Sequence, residues 1–223
     1  MMPFPGGIDA DANATLLFSL VAAVIFAFTI GMPPRLTRSA VKTLAVAMLS
    51  VLAFQQGGPW LLVAALALSA VGDAFLSRDG DKAFLGGLAS FLAAHVLYVA
   101  LFLRAGGGTG LLGAEPWRAA IALAMAVFGL AMLVALWRRV GPGLRLPVGV
   151  YVAAILAMGI SALTMSNVSV IGGAVSFMAS DGLLAAEKFL VPAISPHRVW
   201  MRYAAWALYY GAQLAIILGF LLG

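Results

Sequence analysis

Two carboxylates stand in stretches that water does not readily reach. Asp73 lies within Ser69-Ala70-Val71-Gly72-Asp73-Ala74-Phe75-Leu76, and Asp181 within Phe177-Met178-Ala179-Ser180-Asp181-Gly182-Leu183-Leu184. Each belongs to an apolar run long enough to lie in a bilayer, where an ionisable side chain costs about 2.5–3.5 kcal/mol even on insertion scales. That cost, borne twice, marks both positions as functional. Two carboxyl groups in unequal surroundings suit general acid/base chemistry, in which one keeps a proton to give and the other takes one away. Six more polar residues, Lys42, His95, Tyr98, Tyr151, Tyr209 and Gln213, are set in apolar stretches of their own. They are the candidates for binding or orienting a substrate.

Other chemistries find little support. A catalytic metal needs about three protein ligands. The chain has no cysteine, and its two histidines, His95 and His197, belong to different depths. No metal and no cofactor are therefore expected. Ser180 adjoins Asp181, which puts their side chains about 100° apart on a helix, and no G-x-S-x-G elbow is present. Asp79 and Asp81 read as a turn with local ion pairs, since the further oxygen ligands of a Ca²⁺ loop are missing. Glu187 and Lys188 read as a solvated helix end, and His197 as an exposed loop residue. Lys188, seven residues beyond Asp181, is two turns or about 10 Å away and too far to pair with it.

The elements that must position these residues follow from hydropathy. Of 223 residues, 64% are hydrophobic and 9% charged, too little polar surface to cover a soluble globule. Apolar runs at 14–31, 39–54, 59–76, 83–103, 116–137, 146–164, 169–189 and 200–222 are long enough to span a core of about 30 Å. The expected fold is an all-α bundle of eight transmembrane helices in a single domain, 1–223, with a short non-helical N-terminal segment, 1–13. Met32-Pro33-Pro34, Gln55-Gln56-Gly57-Gly58, Gly106-Gly107-Gly108 and Gly141-Pro142-Gly143 read as turns, so successive helices should be antiparallel. The opening residues hold Asp9 and Asp11 but no Lys or Arg, so the first run reads as a retained helix rather than a signal peptide.

Of the 13 basic residues, Arg35, Arg38, Lys42, Arg78, Lys82, Arg138, Arg139, Arg145, Lys188, Arg198 and Arg202 fall on one side of the expected spans. Arg104 and Arg118 fall on the other. This asymmetry predicts an inner-membrane protein with both termini on the non-cytoplasmic side. The scatter of the charges argues against a nucleic-acid partner. Spans three and seven each carry a small residue followed by Asp near the inner end, a hint of a 4+4 pseudo-repeat that would bring the two aspartates together. At 1.5 Å per residue Asp73 sits about 6 Å and Asp181 about 10 Å from the cytoplasmic helix ends, with His95 about 18 Å in. The expectation is a polar cleft opening to the cytoplasmic side, with Asp181 the deeper and drier acid and Asp73 nearer water.

Lys42, Gly72-Asp73, Phe84…Gly87…Phe91…His95…Tyr98, Ser180-Asp181 with Ala185, and Tyr209/Gln213 occur in an order that resembles the YhhN-like family of lysoplasmalogenases, eight-span membrane proteins. One departure is Thr43, where the family commonly has proline after the span-two lysine; it bears on local helix geometry more than on charge. The resemblance implies hydrolysis of the vinyl-ether bond of lysoplasmalogens to a fatty aldehyde and a glycerophospho-base, with a lysophospholipid substrate among membrane lipids. Asp73 and Asp181 would be catalytic, and Lys42 would meet the lipid phosphate. A proton-coupled transporter of lipids or small molecules is the alternative, since intramembrane acids are ordinary there too. It predicts interrupted helices near the midplane, for which Gly172-Gly173 is the one candidate.

Overall fold

The computed structural model describes residues 2–7, 10–33 and 35–223; Asp9 and Pro34 lie outside the described residues. Among the described residues the chain is all-helical, with nine helices: α1 (Asp11–Thr29), α2 (Leu36–Gln55), α3 (Trp60–Leu76), α4 (Asp81–Ala105), α5 (Gly110–Ala114), α6 (Pro116–Trp137), α7 (Pro142–Ala162), α8 (Val168–Phe189) and α9 (His197–Leu221). Seven of them, of 19 to 25 residues, are long and apolar enough to cross a membrane. The eighth apolar helix, α3, has 17 residues, at the short end of what spans a bilayer.

Helix α1 starts earlier than expected, because the N-terminal segment folds back onto its first turn. Asn13 Nδ2 donates to the carbonyls of Phe4 (2.8 Å) and Gly7 (2.7 Å), and Asn13 Oδ1 accepts from Phe4 N–H. Helix α7 also starts earlier. Pro142 is its first residue after an extended Gly141, and a first-turn proline loses no hydrogen bond there. The five-residue α5 was not foreseen.

The helices fall into two compact units, residues 1–101 with 217–223, and residues 102–216. In the first, hydroxyls tie neighbouring helices by donating to backbone carbonyls: Ser19 of α1 to Ala45 of α2, Ser50 of α2 to Val63 of α3, and Ser90 of α4 to Leu68 of α3. Without a hydrophobic force between helices in lipid, such bonds and close packing hold a bundle. Gly80, at φ +106°, turns the chain between α3 and α4 in a conformation that side chains rarely adopt. A Cβ on Gly72 would lie 2.6 Å from the Phe91 ring, and one on Gly87 2.6 Å from Leu76, so α3 and α4 approach as small-residue helices do.

Gly72→Ala is accordingly expected to force apart a contact whose Phe91 side is itself buried. The cost should be about 1–3 kcal/mol, read as a lower unfolding midpoint in detergent. An unchanged midpoint would show that Phe91 moves aside freely.

In the second unit, a Cβ on Gly173 of α8 would lie 2.9 Å from the Ala212 carbonyl of α9, while Gly172 meets nothing. Helix α8 is continuous through both glycines. Helix α6 buries only Arg118, Met125, Gly129 and Leu136, so most of its surface is left to lipid.

Candidate active site

In the first unit, the inward stripe of α3 runs Leu62, Leu66, Ser69, Asp73, all buried and spaced by a helical turn. Asp73 ends it, 1% exposed, with its Oδ1 2.8 Å from Lys42 Nζ of α2. The ammonium also lies 5.8 Å from the centre of the Phe26 ring of α1, within reach of a cation–π attraction. Lys42 was expected at the lipid phosphate; it is found in an ion pair with the carboxylate. On α4, Phe91, His95 and Tyr98 share one face. Phe91 lies against Gly72, and His95 and Tyr98 are fully buried.

In the second unit, three successive residues of α8 are each set against a different helix. The Ser180 hydroxyl donates to the Ala205 carbonyl of α9 (2.8 Å). Asp181 Oδ2 accepts from the Tyr151 hydroxyl of α7 at 2.6 Å. Gly182 is held against α6, where a Cβ would lie 2.5 Å from Phe128 Cζ. The aspartate is thereby presented at a defined angle, and Ser180 is committed to structure rather than to attack. Phe177, one turn before Asp181, meets the Tyr209 ring edge-on at 5.3 Å, and Gln213, one turn beyond Tyr209, is fully buried.

The eight expected site residues thus fall four to each unit: Lys42, Asp73, His95 and Tyr98 in the first, Tyr151, Asp181, Tyr209 and Gln213 in the second. The burial order differs from expectation. Asp73 is the dry carboxylate and Asp181 is partly exposed, because the stripe of α3 carries Asp73 inward while α8 turns Asp181 to a half-covered edge.

Two charged clusters escaped the sequence reading. Glu187, expected in water, is buried and bonded through Oε1 to Arg198 Nε and Arg202 Nε. Arg118, counted as an outer charge, is 3% exposed and donates to the carbonyls of Leu163 and Met165 at 2.7 Å each. It thereby satisfies oxygens left over at the end of α7. Its bond to Glu115 holds that surface carboxyl below its ordinary pKa. The ion pairs expected at Asp79 and Asp81 are absent among the described residues.

The chain is 34% identical over 170 residues to a protein named Lysoplasmalogenase from Mycobacterium bovis, an alignment covering 73% of this chain and 60% of that one. It is 35% identical over 158 residues to human Lysoplasmalogenase TMEM86B, covering 71% and 62%, and 29% identical over 165 residues to bovine Lysoplasmalogenase TMEM86A, covering 69% and 62%. The aligned region spans about six tenths of the length of these relatives. No solved structure matches. The model of the YhhN family matches residues 37–220, taking in every helix from α3 to α8 and nearly all of α2 and α9, and with it all eight candidate residues: the chain belongs to the YhhN family.

Proposed function

We propose that this YhhN-family protein is an intramembrane hydrolase that cleaves the vinyl-ether bond of lysoplasmalogens by carboxylate acid/base catalysis. The likeness to relatives named lysoplasmalogenase carries the reading; the two carboxylates supply its chemistry. Asp181 gives a proton to the outer alkenyl carbon, and the ether oxygen's lone pair forms the oxocarbenium ion. Water adds to that cation as Asp73 takes its proton, which makes a hemiacetal. Collapse returns the hydroxyl proton to Asp181 and delivers the Asp73 proton to the leaving glycerol oxygen, so both groups are reset. Aldehyde and glycerophospho-base leave with one water consumed.

The partners of the two acids support this division. In its ion pair with Lys42, Asp73 is a carboxylate, the form that steadies a cation and accepts a proton. Asp181 accepts from the Tyr151 phenol, a bond that orients its carboxyl group toward a substrate. His95, Tyr98, Tyr209 and Gln213 are the orienting groups. The basic asymmetry of the loops supports an orientation with both termini on the non-cytoplasmic side of an inner membrane and access from the cytoplasmic leaflet. The continuity of α8 through Gly172-Gly173 favours hydrolysis over transport, which wants a broken helix at its ion site.

The test supplies purified protein with 1-alkenyl, 1-alkyl and 1-acyl lysophospholipids of equal chain length. Free aldehyde should appear from the alkenyl lipid alone, since only a vinyl ether forms the cation by protonation at carbon. No aldehyde from it, or equal cleavage of the acyl ester, would overturn the assignment.

A further inference from the structure

Away from the candidate catalytic residues, α2 and α3 border a groove of about 350 Å³. Thr43 and Ala47 form its α2 wall and Ala67, Ala70 and Ala74 its α3 wall, with Arg78 closing it just past the end of α3. Thr43 and Ala74 directly follow Lys42 and Asp73, so the groove lies about 100° around each helix from the ion pair and is a separate feature. It is polar at one end only. The helices are antiparallel, and the bond from Ser50 to the Val63 carbonyl sets Ser50 near the Ala67 end and Thr43 near the Arg78 end. Ser50 also borders the groove, but its hydroxyl is already used, and that end presents alanine surface.

At the other end, Thr43 Oγ1 is buried with no hydrogen-bond partner, a state that costs about 1–3 kcal/mol and calls for an acceptor. Arg78, just past the end of α3, is exposed, and neither it nor the following Asp79 forms an ion pair among the described residues.

We propose that this groove holds one anionic phospholipid, with its chain against the alanines, its phosphate at Arg78 and a glycerol-ester carbonyl accepting from Thr43. The dimensions agree. Ala67 to Arg78 covers about 16 Å of helix, half of a hydrocarbon core of about 30 Å, which is the depth of one leaflet. The order of the groups agrees too, since cation, hydroxyl and apolar trough succeed one another as phosphate, ester and chain do in a lipid. A net anionic headgroup is selected because a cation at headgroup depth is worth about 1 kcal/mol against a negative lipid, whereas a choline beside the phosphate would offset that attraction. The site does not depend on the proposed hydrolysis.

Native mass spectrometry of the full chain in detergent, titrated separately with phosphatidylglycerol, phosphatidylcholine and glycerol 3-phosphate, tests the site. One phosphatidylglycerol should bind per chain, about fivefold tighter than phosphatidylcholine, and the chainless phosphate should not bind. Arg78→Gln should bring phosphatidylglycerol down to the affinity of phosphatidylcholine. Thr43→Val, close in shape to the native residue, and Ala67→Leu, which fills the trough, should weaken both lipids alike. These two keep the test open if Arg78→Gln does not fold. A wild type without headgroup preference, a full preference retained in Arg78→Gln, or unchanged lipid binding in both trough variants would each overturn the proposal. So would efficient crosslinking of Ala67→Cys, the sole thiol in a cysteine-free chain, to a second copy in lipid, which would assign the groove to another protein molecule.

Discussion

Asp181→Asn is expected to lower aldehyde release from lysoplasmalogen by about 10²- to 10⁴-fold, the usual worth of a positioned general acid, with little change in stability. The reason lies in what asparagine keeps. Its amide oxygen still accepts the Tyr151 hydroxyl that now sits 2.6 Å from Asp181 Oδ2, and the neighbours Ser180 and Gly182 still fix α8 against α9 and α6. Only the proton is lost. Tyr151→Phe removes the orienting bond and leaves the acid, so its loss should be smaller, about tenfold. If Asp73 and Asp181 serve one reaction, Asp73→Asn/Asp181→Asn should be scarcely slower than the worse single variant, because groups that act as a unit are not additive. A kcat within a factor of a few of wild type in Asp181→Asn, with the lipid still bound, would remove Asp181 from the chemistry.

The helices were legible because hydropathy over 20 residues reports length and burial together, and α6 matches its expected run at both ends. What escaped was local or distant. Gly141-Pro142-Gly143 looked like a turn, yet a proline is as good a first helical residue as it is a breaker, and only the extended Gly141 before it decides. Helix α5 has five residues, too few for any period to show. Lys42 and Asp73 could be put at similar depths by counting, but 31 positions separate them, and which faces of α2 and α3 meet is a packing outcome. Burial order failed for the same reason: depth along a helix says nothing of whether a side chain points into the bundle or out of it. Glu187 was misread because a charge at a helix end is usually solvated. The available signal was Arg198 and Arg202, four residues apart and so on one face of α9, just beyond a short loop.

Lys42→Met is expected to be strongly destabilising, because it takes the cationic partner from a carboxylate that is 1% exposed. Removing one partner of a buried pair costs about 3–5 kcal/mol. Asp73→Asn should cost less, since the lysine left behind is already 18% exposed on its side chain and can extend its ammonium toward the headgroups. Lys42→Met/Asp73→Asn removes both charges and should recover most of the loss, for replacing a whole buried pair by neutral groups is often close to neutral. Equilibrium unfolding of the four proteins in mixed micelles gives the coupling directly. The cycle also separates architecture from chemistry. If Asp73 is the base, the double variant regains stability while staying inactive. If the pair is only a tie between α2 and α3, stability and aldehyde release return together, and the catalytic role of Asp73 is lost.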